Sequence, residues 1–325
     1  MRRWSLFVLF AGLSACSDAA GDETSDGLST GGAGGGLGGG TSSSGGSSDG
    51  GESSGGGSAQ GGEAMGGAGG QSPVCPPQFS EGASHCSVSP DWAECEYNDT
   101  TIQDRKVLWQ TPVGDPPPNG WPAVVIFQGT NASPDLTRAG GPDMPYGGFH
   151  QVRLQAMLLD NGFAVIAPEA LGGVAWQTNF PVIWEATSDH ALILALLAAF
   201  EGESTFGPID TSRLFATGIS SGGYVTSRMA VSYPGKFRAL AIQSGSYATC
   251  SNAACIVPDP LPDDHPPTLF LHGSADFTVP LSTAEAYHEQ LVSQGIESEL
   301  IVQDGVGHAW LDVAPEEIGC WFLTH

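Results

Sequence analysis

The segment Gly218-Ile219-Ser220-Ser221-Gly222 follows an apolar run, Leu214-Phe215-Ala216-Thr217, and precedes a helix-forming stretch, Tyr224–Ser232. A serine between two glycines at a strand-to-helix junction is a nucleophile elbow, whose strained turn exposes the hydroxyl at the edge of a sheet. A side chain at either glycine would collide with neighbouring backbone. The same pattern recurs at Gly46–Gly50 and Gly51–Gly55, but neither strand nor helix flanks it there. A serine hydroxyl attacks a carbonyl only when a histidine removes its proton, and that histidine needs a carboxylate to fix its tautomer. The chemistry indicated is acyl transfer through Ser220.

On a strand–elbow–helix scaffold the partners follow the serine in the order acid, then histidine. Of the eight histidines, His85, His150 and His190 precede Ser220. His288 falls within a helical pattern, His325 is terminal, His265 is expected in a surface turn and His272 at a strand end, which leaves His308 in Gly305-Val306-Gly307-His308-Ala309-Trp310. Asp276 is the preferred acid, in the loop Ser274-Ala275-Asp276-Phe277-Thr278 after the run Thr268–Leu271, with Asp263 or Asp264 as the alternative. Catalytic groups of open α/β sheets collect in loops at the strand C-termini. Oxyanion donors are expected from the backbone N–H of Ser221 and from Thr130 or Gly129 in the loop Gln128-Gly129-Thr130-Asn131, with Gln128 shaping that turn.

These loops require a sheet to carry them. Short apolar runs at Lys106–Trp109, Ala123–Phe127, Ala164–Ala167, Leu214–Thr217, Ala239–Gln243, Thr268–Leu271 and Glu299–Val302 alternate with helical patterns. This is the signature of a mostly parallel sheet with helices on both faces. Helices are expected over Ser188–Phe200, with Ala191, Leu192, Leu194, Leu196 and Leu197 as its apolar surface, after Ser220 up to Pro234-Gly235, and from about Ser282 to Ser293. The segment Leu171–Trp184 carries Val174, Trp176, Phe180, Val182 and Trp184. It is the candidate for an apolar substrate surface or lid, with Gln128, Trp176 and Trp184 as pocket residues.

Residues 73–325 suit one α/β domain. Ahead of them, Arg2 and Arg3 precede an apolar run, Trp4–Leu13, too short to span a bilayer, which reads as a secretory signal over residues 1–16. Its end, Leu13-Ser14-Ala15-Cys16, resembles the lipobox of bacterial lipoproteins and implies lipidation of Cys16. Residues 17–72 hold 23 of the 47 glycines and cannot bury enough apolar surface to order, so they are expected to form a tether with a root-mean-square reach of ~40 Å. The formal charge of −25 argues against nucleic acid or anionic lipid as partners. Membrane association is expected only through the lipid anchor. Six cysteines remain besides Cys16, an even set that suggests disulfides in an exported chain. Cys250 and Cys255 are paired here, while Cys75, Cys86, Cys95 and Cys320 allow three pairings. No CxxC spacing supports a zinc site.

The domain from about Cys75 onward resembles the extracellular medium-chain-length polyhydroxyalkanoate depolymerases of bacteria. The resemblance rests on Gly218-Ile219-Ser220-Ser221-Gly222-Gly223-Tyr224, Thr226-Ser227-Arg228-Met229-Ala230, Leu271-His272-Gly273-Ser274-Ala275-Asp276 and the placement of His308. It implies an α/β-hydrolase fold and hydrolysis of hydrophobic polyesters such as poly(3-hydroxyoctanoate), with no cofactor or metal. Those relatives are thought of as freely secreted, whereas Cys16 and the tether point to the cell surface. Rival readings are a secreted feruloyl or acetylxylan esterase, a serine peptidase on the same fold, and a noncatalytic surface lipoprotein.

Overall fold

The computed structural model describes residues 75, 77–178, 183–202, 205–250 and 255–325. The expected signal segment, Cys16 and the glycine-serine tether lie outside the described residues, as do Phe180 and Val182.

Among the described residues there are eleven strands: β1 (Cys86–Val88), β2 (Ala93–Cys95), β3 (Asn98–Ile102), β4 (Arg105–Gln110), β5 (Trp121–Phe127), β6 (Ala139–Gly140), β7 (Ala164–Pro168), β8 (Ile209–Ile219), β9 (Phe237–Gln243), β10 (Thr268–Gly273) and β11 (Ser298–Gln303). The helices are α1 (Gly148–Asp160), α2 (Ser188–Ala199), α3 (Ser221–Ser232), α4 (Leu281–Ser293) and α5 (Ala314–Thr324). Eight strands form one sheet in the order β11-β10-β9-β8-β5-β7-β4-β3. Pairing is parallel from β7 through β11, and the antiparallel β3–β4 ribbon closes the far edge. Strands β1, β2 and β6 make a small antiparallel sheet.

The central strands read as unbroken apolar runs because each faces two cores. In β5, Ala123, Val125 and Phe127 join the core under α2 and α3, while Val124 and Ile126 point to the opposite core with α1 and α5. All seven β5 residues are buried. Helix α4 packs on the same side as α3, where Tyr287 and Leu291 meet Ile242 and Phe270. At ~25 cal/mol per Å² of apolar area withdrawn from water, these two layers are the main favourable contribution to folding.

All seven expected strands and three expected helices are found, with shifts of detail. Helix α2 buries Leu192, Ile193 and Leu196. Ala191 and Leu194, both expected on the apolar face, are exposed, because the helical period puts Ile193 toward the sheet instead. Thr187 caps α2, its hydroxyl accepting from His190 N–H at 3.0 Å. The first turn is fixed from below by a buried ion pair between Arg105 of β4 and Asp189, and Arg105 also donates to Ser188 Oγ at 2.6 Å.

Among the described residues three disulfides are formed. Cys250–Cys255 is the short loop expected, and the four open cysteines resolve as Cys86–Cys95 across β1 and β2 and as Cys75–Cys320, which ties the start of the described chain to α5. Such bridges belong to an oxidising compartment.

His265 is buried rather than set in a surface turn, with Nε2 2.6 Å from Tyr287 Oη and Nδ1 2.8 Å from Pro266 O. Burial pushes its imidazole down to about 4 from the ordinary 6.5. The folded protein therefore binds fewer protons here than the unfolded chain between those values. The stabilisation is fully present above about pH 6.5 and lost as pH falls to about 4, up to about 3 kcal/mol. Denaturant titrations of wild type and His265→Asn at pH 7 and pH 4 are expected to show the smaller pH dependence in the variant. Equal slopes would refute the assignment.

Candidate active site

The loop between β8 and α3 places Ser220 at φ 56° and ψ −122°, a backbone region a non-glycine residue enters only when its surroundings force it. Here they do: Ser220 N–H donates to Gln243 O at 3.1 Å, and its carbonyl accepts from Tyr224 N–H at 3.1 Å. The flanking glycines are steric requirements. A Cβ on Gly218 would lie 2.7 Å from Phe127 O and 2.7 Å from the Gly222 carbonyl, and one on Gly222 would lie 2.2 Å from Phe127 O. The turn is pressed against the end of β5, which places Ser220 beside the loop that follows that strand.

His308 and Asp276 reach the same place from the ends of β11 and β10. Asp276 Oδ2 lies 2.8 Å from His308 Nδ1, while Oδ1 accepts the N–H groups of Thr278 at 2.9 Å and Val279 at 2.8 Å. An ionised carboxylate only accepts, so the proton of that pair sits on Nδ1 and the lone pair on Nε2. Burial pushes the Asp276 carboxyl up, but hydrogen bonds from His272, His308 and Val279 N–H, with the His308 charge, outweigh it and hold the group well below the usual carboxylate range. Asp263 and Asp264 are exposed. Asp304, beside the histidine loop, accepts from Ser274 Oγ at 2.8 Å.

Second-layer contacts fix the histidine loop. The buried Gln243 side chain donates to Leu271 O at 3.0 Å and Ala309 O at 2.8 Å, and Ser244 Oγ donates to Ala309 O at 3.0 Å. Ala275 N–H donates to Val306 O at 2.9 Å, joining the acid loop to the histidine loop.

Ser220 and His308 line one cavity of about 340 Å³ with Gly129, Thr130, Ala132, Tyr146 and Thr278. Among the described residues neither Ser220 Oγ nor His308 Nε2 has a protein hydrogen-bond partner, so both are free to engage a bound molecule. Catalytic hydrogen bonds often close only once substrate is present. Among the described residues Thr130 N–H has no acceptor either, whereas Asn131 N–H is taken by Val174 O at 2.7 Å and Ala132 N–H by Gly129 O at 3.2 Å. Ser221 N–H is the first of the α3 amides, which the helix itself cannot satisfy. Thr130 Oγ1 donates to Ser221 Oγ at 3.2 Å, linking the two loops.

The pocket residues read from sequence stand elsewhere. Trp176 is 5% exposed, set edge-on to Phe127, and its indole N–H donates to Gln128 O at 3.0 Å; Trp184 is 1% exposed, and its indole N–H donates to Tyr233 Oη at 3.2 Å. Both belong to the core under α2. A large indole with its N–H satisfied inside is better buried than facing water. Gln128 is buried too: its amide joins Gly173 O at 3.2 Å and Ala170 N–H at 3.0 Å, holding the loop after β5 against the loop after β7. Of the proposed apolar surface, Leu171 and Val174 are exposed.

Two residues at the site were not singled out by sequence. Tyr146, at φ 57°, sets its ring edge-on to His308 with centroids 6.1 Å apart, and its carbonyl accepts from Trp310 N–H at 2.9 Å. His272, assigned only a structural place at a strand end, is fully buried with Nε2 2.9 Å from Val279 O and 3.4 Å from Asp276 Oδ2. Asp276 thus faces two imidazoles. Among the described residues no group of three or more His, Cys, Asp or Glu is placed to hold a metal ion.

The model of the prolyl oligopeptidase family matches residues 150–254, which include the Ser220 turn but neither Asp276 nor His308. The chain is 45% identical over 266 residues to the poly(3-hydroxyoctanoate) depolymerase of Pseudomonas fluorescens, covering 78% of this chain and 95% of that protein. It is 32% identical over 108 residues to feruloyl esterase B of Thermothelomyces thermophilus, covering 33% of this chain and 36% of that enzyme. Among solved structures a thermostable esterase superposes with a TM-score of 0.50 at 19% identity, covering 70% of this chain and 59% of that one. That likeness concerns the fold, which is the α/β-hydrolase fold.

Proposed function

The chain belongs to the poly(3-hydroxyoctanoate) depolymerase family, and from that membership and the geometry above we propose that it is an exported serine esterase cleaving medium-chain-length polyhydroxyalkanoates outside the cell. The observation that carries the chemistry is the Asp276–His308 pair at 2.8 Å, on a cavity whose wall also holds Ser220 in its strained turn.

His308 Nε2 takes the proton as Ser220 Oγ attacks the ester carbonyl. The oxyanion settles on the N–H groups of Ser221 and Thr130, each such donor contributing about 10²–10³ in rate. Collapse of the tetrahedral adduct expels the alcohol end of the polymer, protonated by His308. Water, deprotonated by the same imidazole, then attacks the acyl-enzyme and regenerates Ser220. Asp276 remains ionised throughout and stabilises the imidazolium. Gly129 allows the loop its close approach, since even a Cβ there would lie 3.2 Å from Ile219 Cγ2.

Export is supported by the three disulfides and by the signal-like first residues, and the lipobox-like Leu13–Cys16 supports retention at the cell surface. One experiment covers substrate and place. Washed cells expressing the full chain, and their culture supernatant, are each added to emulsions of poly(3-hydroxyoctanoate) and poly(3-hydroxybutyrate). Clearing of the first polymer alone, by cells and not by supernatant, is expected. Clearing of neither, with a soluble ester still hydrolysed, would move the substrate to small esters such as those of feruloyl esterases. Clearing by supernatant alone would remove the anchor.

A further inference from the structure

A second cavity, of about 350 Å³, adjoins the one that holds Ser220 and shares Thr130, Asn131, Ala132, Tyr146 and Ile219 with it. Its remaining wall is largely apolar, from Leu136, Met144 and Trp310, and includes one amide side chain, Gln151. Gln151 lies on α1 and is 4% exposed. Gln155 Nε2 donates to the Gln151 backbone carbonyl at 3.2 Å, and the Gln151 side-chain amide has no hydrogen-bond partner among the described residues. Its amide atoms are not among the fully buried unpartnered ones and open onto the cavity, so a ligand that displaces water there must supply a polar atom or leave the amide unpaired.

We infer that this cavity is the subsite for the acyl unit of the scissile ester and that it recognises a 3-oxygenated medium-length acyl chain. The alkyl tail lies on Leu136, Met144 and Trp310, and the oxygen at C3 accepts from the Gln151 amide. The assignment rests on the function proposed above. It goes to the acyl side, not the alcohol side, because His308, which must protonate the leaving alcohol, borders only the first cavity. The residues that the two cavities share include Thr130, whose N–H is an oxyanion donor in the mechanism above.

The chemistry fits a hydroxyalkanoate repeat, which combines an apolar tail with an oxygen at C3. A plain fatty acyl group would leave Gln151 unpaired, and a short hydroxyacyl group would leave the apolar wall wet. Sites built to hydrogen-bond a substrate oxygen discriminate against analogues lacking it.

The test uses three ethyl esters with one alcohol, butanoate, octanoate and 3-hydroxyoctanoate, followed by acid release. Ratios of kcat/KM within one preparation do not depend on how much of it is folded. Each buried methylene is worth about fourfold, or about 0.8 kcal/mol. Placing a carboxylate on the wall by Leu136→Asp, at a position 61% exposed in the free protein, is expected to lower the octanoate-to-butanoate ratio about tenfold or more. Gln151→Leu is expected to lower the 3-hydroxyoctanoate-to-octanoate ratio about three- to tenfold, the range for one neutral hydrogen bond. If wild type cleaves the esters and either variant's ratio stays within twofold of wild type, the subsite is overturned while the esterase stands. If wild type cleaves none of the three, the function falls and the subsite with it.

Discussion

Ser220→Ala is expected to lower kcat on a soluble medium-chain ester by about 10⁶-fold, the scale on which removal of a triad serine acts. The backbone at φ 56° is held by Gln243 O and Tyr224 N–H, and those contacts do not involve the hydroxyl. Ser220 Oγ has no protein hydrogen-bond partner among the described residues. Its deletion should therefore leave the thermal midpoint within a few degrees of wild type, since no buried group is left unpaired. Residual turnover over water would come from the oxyanion donors and substrate binding. A variant that retains most of the activity would sink the nucleophile assignment, and a large loss of stability would show that the hydroxyl has a structural part the contacts do not explain.

Asp276→Asn is expected to lower kcat by about 10⁴-fold, through the tautomer of His308. The argument follows from the two sides of the carboxylate. Oδ1 accepts from two backbone donors, Thr278 N–H and Val279 N–H, so the carbonyl oxygen of an asparagine must occupy that side. Its NH₂ group is then turned toward His308 Nδ1, which must give up its proton and accept. The proton moves to Nε2, the atom that has to receive the proton of Ser220. The same NH₂ also meets His272 Nε2–H, the donor to Val279 O at 2.9 Å, so the variant should lose stability as well. Steady-state kinetics and denaturant titration on one preparation check both effects. Activity near wild type would remove Asp276 from the mechanism.

The position of Asp276 also explains why one carboxylate stays ionised in a buried setting. Four donors converge on it: two amides and two imidazoles, with His272 Nε2 at the longer distance of 3.4 Å. Burial alone would protonate it, and the hydrogen bonds reverse the sign. In the proposed mechanism, a carboxylate kept charged next to Nδ1 stabilises the cationic His308 formed during turnover.

Much of the architecture was legible because its causes are local. Each central strand is covered on both faces, which makes it an apolar run of β-branched residues, and β5, β7, β8, β9 and β10 could be read directly. The elements that escaped lack that signal. Strand β3, Asn98-Asp99-Thr100-Thr101-Ile102, is a polar sheet edge, stabilised by its pairing with β4 and not by its own composition. Helix α1 has no side-chain cap, starts from Gly147 in the left-handed region, and buries both Gln151 and Gln155 within its face, which breaks the apolar period. Helix α5 is marked only at its first turn, by Pro315 and the acidic Glu316 and Glu317.

What the chain by itself determined was that Ser220 stands between two glycines at a strand–helix junction, with Asp276 and His308 following it in order. The glycines around Ser220 answer to contacts made within one strand–turn–helix unit, and the residues after β10 and β11 must fall at the same end of a parallel sheet. Tertiary structure decided which of the remaining residues face that end. Tyr146 meets His308 only because Gly147 lets the chain pack against the Trp310 backbone, where a Cβ would lie 2.3 Å from Trp310 O. His272 meets Asp276, Trp176 and Trp184 turn inward, and the Gln151 side chain borders the second cavity with no hydrogen-bond partner among the described residues. Those facts depend on side chains distant in sequence sharing a few ångströms of space, and neither spacing nor periodicity records such proximity.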